Sequence, residues 1–320
     1  MEFPTTPMTT RSRVVLEIAS ELVADRGQPY NQAKVLLRTQ GSADWPLCLF
    51  GSSTTEGIDA VVKGEAALAI INPASVLALA LKGTSVFKRP QPVRVVTVIP
   101  SYDNYVFAVK SDTGLTSVED IAGKRPPLRL SLRGHRDHSL HLMLDDIASA
   151  AGFSLADIKA WGGEVRFEDR LPPFPNRGKF QALGSGEINA IFDEAVNVWI
   201  EAAIDEGMTI LPLKEATVAK LEAIGYRRGI IRKADYPKLP GDILTIDFSG
   251  WPIFVRTDAP DDLVTRICAA LEARKHLIPW QGEGPLPLER MCIDTPETPQ
   301  LAPLHPAAEK FWRGRGYLEG

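Results

Sequence analysis

Cysteine is scarce: Cys48, Cys268 and Cys292 are the only three in 320 residues, far apart and at no zinc spacing. A disulfide-framed fold and a structural zinc knot are excluded on that count. Three buried, inert thiols are the expectation, and a bridge from Cys48 to Cys268 or Cys292 would need an oxidising compartment. A large excess of either charge is missing too. With a formal net charge of -4 and no long like-charge run, the chain offers no footprint for a phosphate backbone, so nucleic acid is not expected as a partner. No apolar run reaches bilayer-spanning length, and MEFPTTPMTTRSRVV has no apolar signal core after a basic start; no membrane insertion is expected, and as written the chain reads as unexported. GxSxG, a Walker loop, GxGxxG, CxxC and HExxH are all missing. Serine hydrolysis, phosphoryl transfer and dinucleotide chemistry therefore have no positive signal, and neither a cofactor nor a metal is expected.

What is present is length and alternation. At 320 residues and 44% apolar composition the chain exceeds one average domain and can bury a large core. Helical and strand periodicities alternate along it, as in an open α/β sheet. Val14, Val15, Ile18, Leu22 and Val23 form one helical stripe over 11–26, and strands are predicted at 33–39, 67–71, 93–99, 105–110, 128–132, 188–192 and 251–256. Helices are predicted at 73–82, 140–151, 180–187, 196–204, 215–224 and 261–274. The Pro- and Arg-rich stretch 164–180 reads as an irregular surface excursion, and 213–250 is assigned little beyond its helix. The predicted division is a first lobe of 1–104 and 206–320 and a second of 105–205, with the return crossing near 193–212.

Several polar clusters fall at the ends of these elements. Gly51, Ser52, Ser53 and Thr54 form a small-residue loop before a short helix, able to offer backbone N–H groups and hydroxyls to an anion or simply to cap the helix. Asn72 ends the strand that follows, where α/β sheets keep their ligands. His135, Arg136, Asp137, His138 and Ser139 form a second such loop, with Arg136 the candidate anion contact. His138, His141 and Asp145 recur at three- and four-residue spacing, which suits a metal in principle, but nothing completes such a site. Arg129 and Arg133 alternate with Leu128, Leu130 and Leu132, which suggests an exposed or edge strand with solvated arginines, or a positive entrance to the second lobe. Asp193 and Glu194, after an apolar strand, suit an ammonium group, acid–base work or a solvated helix start.

In order along the chain, GSSTTEGIDAVVKGEAALAIINP, GLTSVEDIAGKR, RLSLRGHRDHSLHLMLDDIASAAGF, GSGEINAIF, WPIFVRTDAPDDLV and PLHPAAEKFWRGRGY resemble the solute-binding proteins of the TAXI class of TRAP transporters, over roughly residues 11–318. The resemblance implies an α/β, two-lobed type II periplasmic-binding-protein-like clamp with doubly wound, mostly parallel sheets and a two-strand hinge. It implies a binding protein rather than an enzyme, closing on a small organic anion, carboxylate or amino-acid-like, with a TRAP-type membrane permease as partner. Carried onto matching positions, ligand contacts would come from Gly51, Ser52, Ser53 and Thr54, from Asn72, from His135 to Ser139, and from Asp193 and Glu194, with Tyr102 and Tyr105 as wall residues.

Two features depart from that family. Only MEFPTTPMTTRS precedes the first predicted helix, where the family has a strand and a glycine-rich loop, and His135, Arg136, Asp137 and His138 stand where small Ser, Gly and Thr residues are usual. The resemblance points to the periplasm and the start of the sequence to the cytoplasm. A cytosolic enzyme on the same fold, of lyase or decarboxylase type, is therefore the alternative expectation.

Overall fold

The computed structural model describes residues 7–24, 32–38, 46–52, 54–168 and 179–318. In chain order these form α1 (Pro7–Ala24), β1 (Gln32–Leu37), β2 (Leu47–Ser52), α2 (Glu56–Val62), β3 (Leu68–Ile70), α3 (Ala74–Lys82), β4 (Val93–Ile99), β5 (Val106–Lys110), α4 (Asp120–Lys124), β6 (Arg129–Arg133), α5 (Ser139–Ala151), α6 (Leu155–Ala160) and β7 (Glu164–Glu168). After residue 178 come α7 (Lys179–Gly184), β8 (Ala190–Asp193), α8 (Val196–Asp205), β9 (Met208–Ile210), α9 (Glu215–Ile224), β10 (Arg228–Ile231), β11 (Ile243–Ile246), β12 (Trp251–Arg256), α10 (Asp261–Arg274) and α11 (Pro306–Gly314).

The strands build two five-stranded sheets, ordered β1-β2-β3-β12-β4 and β7-β6-β8-β5-β9, plus the β10-β11 ribbon. The α/β two-sheet architecture is the one expected, but the sheets are mixed rather than mostly parallel. Among the described strands, parallel pairing is confined to β2 with β3 and to β6 with β7 and β8, beside an isolated parallel bridge of Val95 with Leu304. The reason is topological: β12 inserts antiparallel between β3 and β4, β5 inserts antiparallel between β8 and β9, and β1 pairs antiparallel with β2; β5 enters the second sheet directly from β4 of the first, and β12 returns to the first by way of the β10-β11 ribbon.

Period-two alternation assigns each sheet face its own core. In β12, Phe254 faces one side and Ile253 and Val255 the other; in β5, Phe107 and Val109 oppose Val106 and Ala108. One continuous core runs from the α2 and α3 side of the first sheet, through Tyr105, Tyr226 and Phe248, to the α5 side of the second. The outer face of the first sheet packs on α10 and α11, and that of the second on α7 and α8. Cys48 belongs to the first core and Cys268 and Cys292 to the outer one, so a Cys48 bridge to either is ruled out by the intervening sheet; all three are buried free thiols. Burial pushes Cys268 up to about 12 and Cys292 up to about 11, which leaves them inert.

The sheets are joined by a short antiparallel ladder. Tyr105 N–H donates to the Ile246 carbonyl, Phe248 N–H to Asp103 and Gly250 N–H to Ser101, each at 2.9 Å. The return crossing thus lies at 246–250, not near 193–212, and β9, placed in the first lobe by a boundary at 205/206, pairs with β5 in the second sheet. A second connection runs through α9. Thr84 Oγ1 donates to the Ile224 carbonyl at 2.5 Å on the first-sheet side, while Tyr226 Oη donates to Asp146 Oδ2 at 2.7 Å on α5. The stripe of α1 does not find a core: Val14, Val15, Ile18, Leu22 and Val23 are all exposed.

Candidate functional site

β2 carries its strand through Gly51 and Ser52, which the sequence suggested were loop, because both pair with β1. The turn beyond holds itself together. Ser52 Oγ lies 2.9 Å from Thr54 Oγ1 and accepts from Thr54 N–H, and Thr54 Oγ1 accepts from Glu56 N–H, so these hydroxyls close the start of α2. Ser53 lies outside the described residues. Asn72 lies two residues beyond β3, half-buried, its Oδ1 buried without a hydrogen-bond partner.

Opposite that turn stands the loop between β6 and α5. Its residues converge with those of the first sheet on a cavity of about 450 Å³, lined on one side by Thr54, Thr55, Glu56, Asp59 and Val86 and on the other by Arg136, Asp137, His138, Ser139 and Leu142. Of the residues singled out in the sequence, Thr54, Arg136, Asp137, His138 and Ser139 are thereby brought together. Gly51, Asn72, Tyr105, His135, Asp193 and Glu194 do not line this cavity, while Thr55, Glu56, Asp59, Val86 and Leu142 do. Glu56 already accepts from Gln32 Nε2 and Lys34 Nζ; Arg136 is stacked over Phe167 at 4.2 Å, its guanidinium held by a cation–π contact. Two further hollows, of about 470 and 560 Å³, flank α11 on the outer side of the first sheet.

Behind His138 lies a buried ionic network. Arg133, at the end of β6, donates through Nη2 to Asp193 Oδ1 at 2.8 Å and to Glu194 Oε1, and Lys179 Nζ lies 3.1 Å from Asp193 Oδ2. β6 is flanked by β7 and β8, so it is no edge strand; Arg129 stays partly exposed, but Arg133 turns inward because two carboxylates, Asp193 and Glu194, meet it. Burial pulls the Arg133 guanidinium down, but Asp193 and Glu194 outweigh it and leave the group more basic than usual. Asp103, from the crossing ladder, joins from the other side. It accepts from the N–H groups of Asn104, Ala195 and Val196, and its carboxyl meets that of Glu194. Burial first, then Glu194, raises its proton affinity well above the ordinary carboxylate range. Lys179 lay in the stretch read as irregular and Asp103 carried no sequence signal, so both were missed.

His138 is the N-cap of α5, its Nδ1 accepting from Leu140 N–H at 3.2 Å, and its ring is stacked on Phe248 with an interplanar angle of 9°. Burial, reinforced by Arg133, holds it well below the usual imidazole range, so it is neutral at pH 7. Tyr105 is wholly buried and stacked on Phe107, its hydroxyl without a hydrogen-bond partner. Among the described residues no group of three His, Cys, Asp or Glu side chains is placed to hold a metal ion.

Residues 51–316 match the model of the NMT1-like family. No curated protein matches the sequence. Among solved structures, the chain is similar to the alkanesulfonate-binding protein SsuA from Xanthomonas axonopodis pv. citri, at 14% identity and a TM-score of 0.33, over 69% of this chain and 59% of that one. It is similar to a TctC solute-binding protein from Polaromonas, at 16% identity and a TM-score of 0.36, over 68% and 67%. The substrate-binding protein of an amino acid ABC transporter aligns at 13% identity and a TM-score of 0.29, over 81% of each chain. The chain thus spans about three fifths of the length of the first of these and two thirds of the second.

Proposed function

The chain belongs to the NMT1-like family, and from that premise we propose that it is a solute-binding protein that clamps a small organic anion, a carboxylate or amino-acid-like molecule, between two lobes built on its two sheets. The observation that carries this reading is the 450 Å³ cavity walled by both: Thr54 to Asp59 on one side, Arg136 to Ser139 on the other. A ligand seated there touches both lobes and favours the closed arrangement through that double contact. The ladder between Ser101–Tyr105 and Ile246–Gly250 is the hinge, and the partner is a membrane permease of the TRAP type. Arg136, free of any carboxylate partner among the described residues, supplies charge at the mouth.

Native mass spectrometry of the protein as purified, followed by identification of the molecule released on denaturation, tests the reading. Arg136→Ala is then expected to weaken that molecule's binding about tenfold, the scale of one charge-assisted hydrogen bond to a carboxylate. Unchanged affinity by calorimetry would remove Arg136 from the site. If no molecule is retained and none of a panel of carboxylates and amino acids binds, the reading itself fails.

One observation favours a second reading, an enzyme of lyase or decarboxylase type. Asp103 and Glu194 are carboxyl groups in contact, and burial, then Glu194, raises the proton affinity of Asp103 well above the ordinary carboxylate range, as a pair that gives and takes a proton requires. Incubation with cell metabolites separates the two readings, since an enzyme consumes what a binding protein retains.

A further inference from the structure

His138 faces two hydrogen-bond donors and can accept from one. Nδ1 receives the Leu140 N–H at 3.2 Å, and Nε2 lies 3.1 Å from Arg133 Nη1. A neutral imidazole has one nitrogen with a free lone pair and one that carries hydrogen. With Nδ1 occupied as the helix cap, Nε2 carries the hydrogen and points it at a guanidinium N–H, donor against donor. The other tautomer only moves the conflict to the helix end, where Leu140 N–H would face Nδ1–H. Protonation makes both nitrogens donors, and burial together with Arg133 opposes it.

Arg133 shows the same shortage of acceptors. Its Nη2 is taken by Asp193 and Glu194, whereas its Nε is buried without a partner. Leaving a buried donor unmet is costly, more so for a charged group. The nearest carboxylates cannot supply the acceptor: Asp193 is shared between Arg133 and Lys179, and Glu194 between Arg133 and Asp103. The place where a further acceptor can enter is the cavity, because His138 forms part of its wall. Arg133 and Lys179 pair with Asp193 and Glu194, and burial, then Glu194, shifts Asp103 towards its neutral form, which limits the negative charge an incoming carboxylate meets.

We propose that His138 Nε2–H and Arg133 Nη1–H together receive one oxygen of a ligand carboxylate, as the deep anchor of the cleft. This rests on reading the cavity as a ligand site. It assigns the anchoring to a histidine and an arginine five residues apart across a strand end and a helix cap, with Arg136 at the rim. The ligand's carboxylate lies between the second sheet's strand ends and α5, and its remaining part extends towards Thr54, Thr55 and Asp59.

The test is His138→Asp. Asp is a favoured N-cap, so α5 keeps its closure, and its carboxylate meets Arg133 in the ligand's place. The variant is expected to unfold at or within a few degrees of the wild-type temperature while losing at least tenfold in affinity for the molecule that co-purifies with the wild type. His138→Asn, which keeps both a cap acceptor and an N–H donor, should recover a larger share of the affinity. As a probe independent of that molecule, sodium acetate against sodium chloride at matched ionic strength should shift the His138 ring nitrogens saturably in histidine-detected NMR. If His138→Asp is folded and binds as tightly as the wild type, or if acetate leaves the His138 ring unmoved, the anchor is overturned while the clamp reading stands. If the wild type itself binds nothing, it is the clamp reading that falls.

Discussion

Lys179 and Asp193 form an ion pair that water does not reach: Nζ stands 3.1 Å from Oδ2 and neither side chain exposes any surface. Lys179→Met keeps the length and apolar stem of the side chain but leaves Asp193 to Arg133 alone. Breaking a buried pair from one side costs about 3–5 kcal/mol. The urea midpoint should fall by the corresponding amount with an unchanged slope. A loss below about 1 kcal/mol would mean that Arg133 alone satisfies Asp193.

Asp247 lies on the crossing ladder opposite Asn104, and burial, the largest cause, pushes its carboxyl up to about 7. A raised carboxyl binds its proton more tightly folded than unfolded, so between about pH 4 and 7 the folded state holds more protons and stability falls as pH rises. The shift from 3.8 to about 7 corresponds to a loss on the order of 4 kcal/mol across that window. Asp103 acts in the same direction. Asp247→Asn should therefore stabilise the protein at pH 8, change little near pH 4, and flatten part of the decline between them. Chemical denaturation at a series of pH values measures this, and parallel curves for the two proteins would refute it.

Gly229 is the first-strand partner of Thr245 in the β10-β11 ribbon, and it lies against the ladder. A Cβ there would stand 2.1 Å from Asn104 Oδ1, 2.8 Å from Asp247 N and 2.9 Å from Ile246 C. Two of those atoms are backbone of the crossing and cannot rotate away. Gly229→Ala is expected to cost roughly 1–3 kcal/mol, the scale of overpacking a tight site, and to move Asn104 and Asp247 amide resonances. Unperturbed amides would show that the ribbon can lift away from the ladder.

Much of the chain's local structure is legible from its periodicity. β4, α9 and α10 fall where the apolar spacing puts them, and Thr54 from one polar loop and Arg136 to Ser139 from the other line one cavity. Legibility fails where partners are remote. Arg133 reads as solvated because strand alternation cannot reveal that Asp193 and Glu194, some sixty residues on, will turn it inward. β7 is hidden in a charged stretch because Glu164, Arg166 and Glu168 interrupt its apolar signal. Strand direction is invisible too, since β5 and β12 have buried runs of the same composition whether they run parallel or antiparallel. The hydroxyls of Ser52 and Thr54 look like anion ligands, but much of their hydrogen-bonding capacity closes the start of α2.

Trp312 offers a way to separate fold from site. Its ring is 1% exposed within the outer core of the first sheet, with Val96, Ile99, Cys268 and Met291, and its Nε1 donates to the Val96 carbonyl at 2.9 Å. None of these residues lines the cavity of Thr54 and Arg136. Trp312→Ala should lose about 3–5 kcal/mol through the void it leaves. Trp312→Phe keeps most of the ring, forfeits the bond to Val96 and should lose less, about 1–2 kcal/mol. Because the damage lies on the far face of the sheet from Thr54 and Glu56, the folded fraction of Trp312→Phe should bind any molecule that co-purifies with the wild type as tightly as the wild type does. Calorimetry well below the variant's unfolding temperature tests that separation. A tenfold loss of affinity there would mean that α11 and the cavity are coupled through the first sheet, and that β12 transmits the repacking to Thr54.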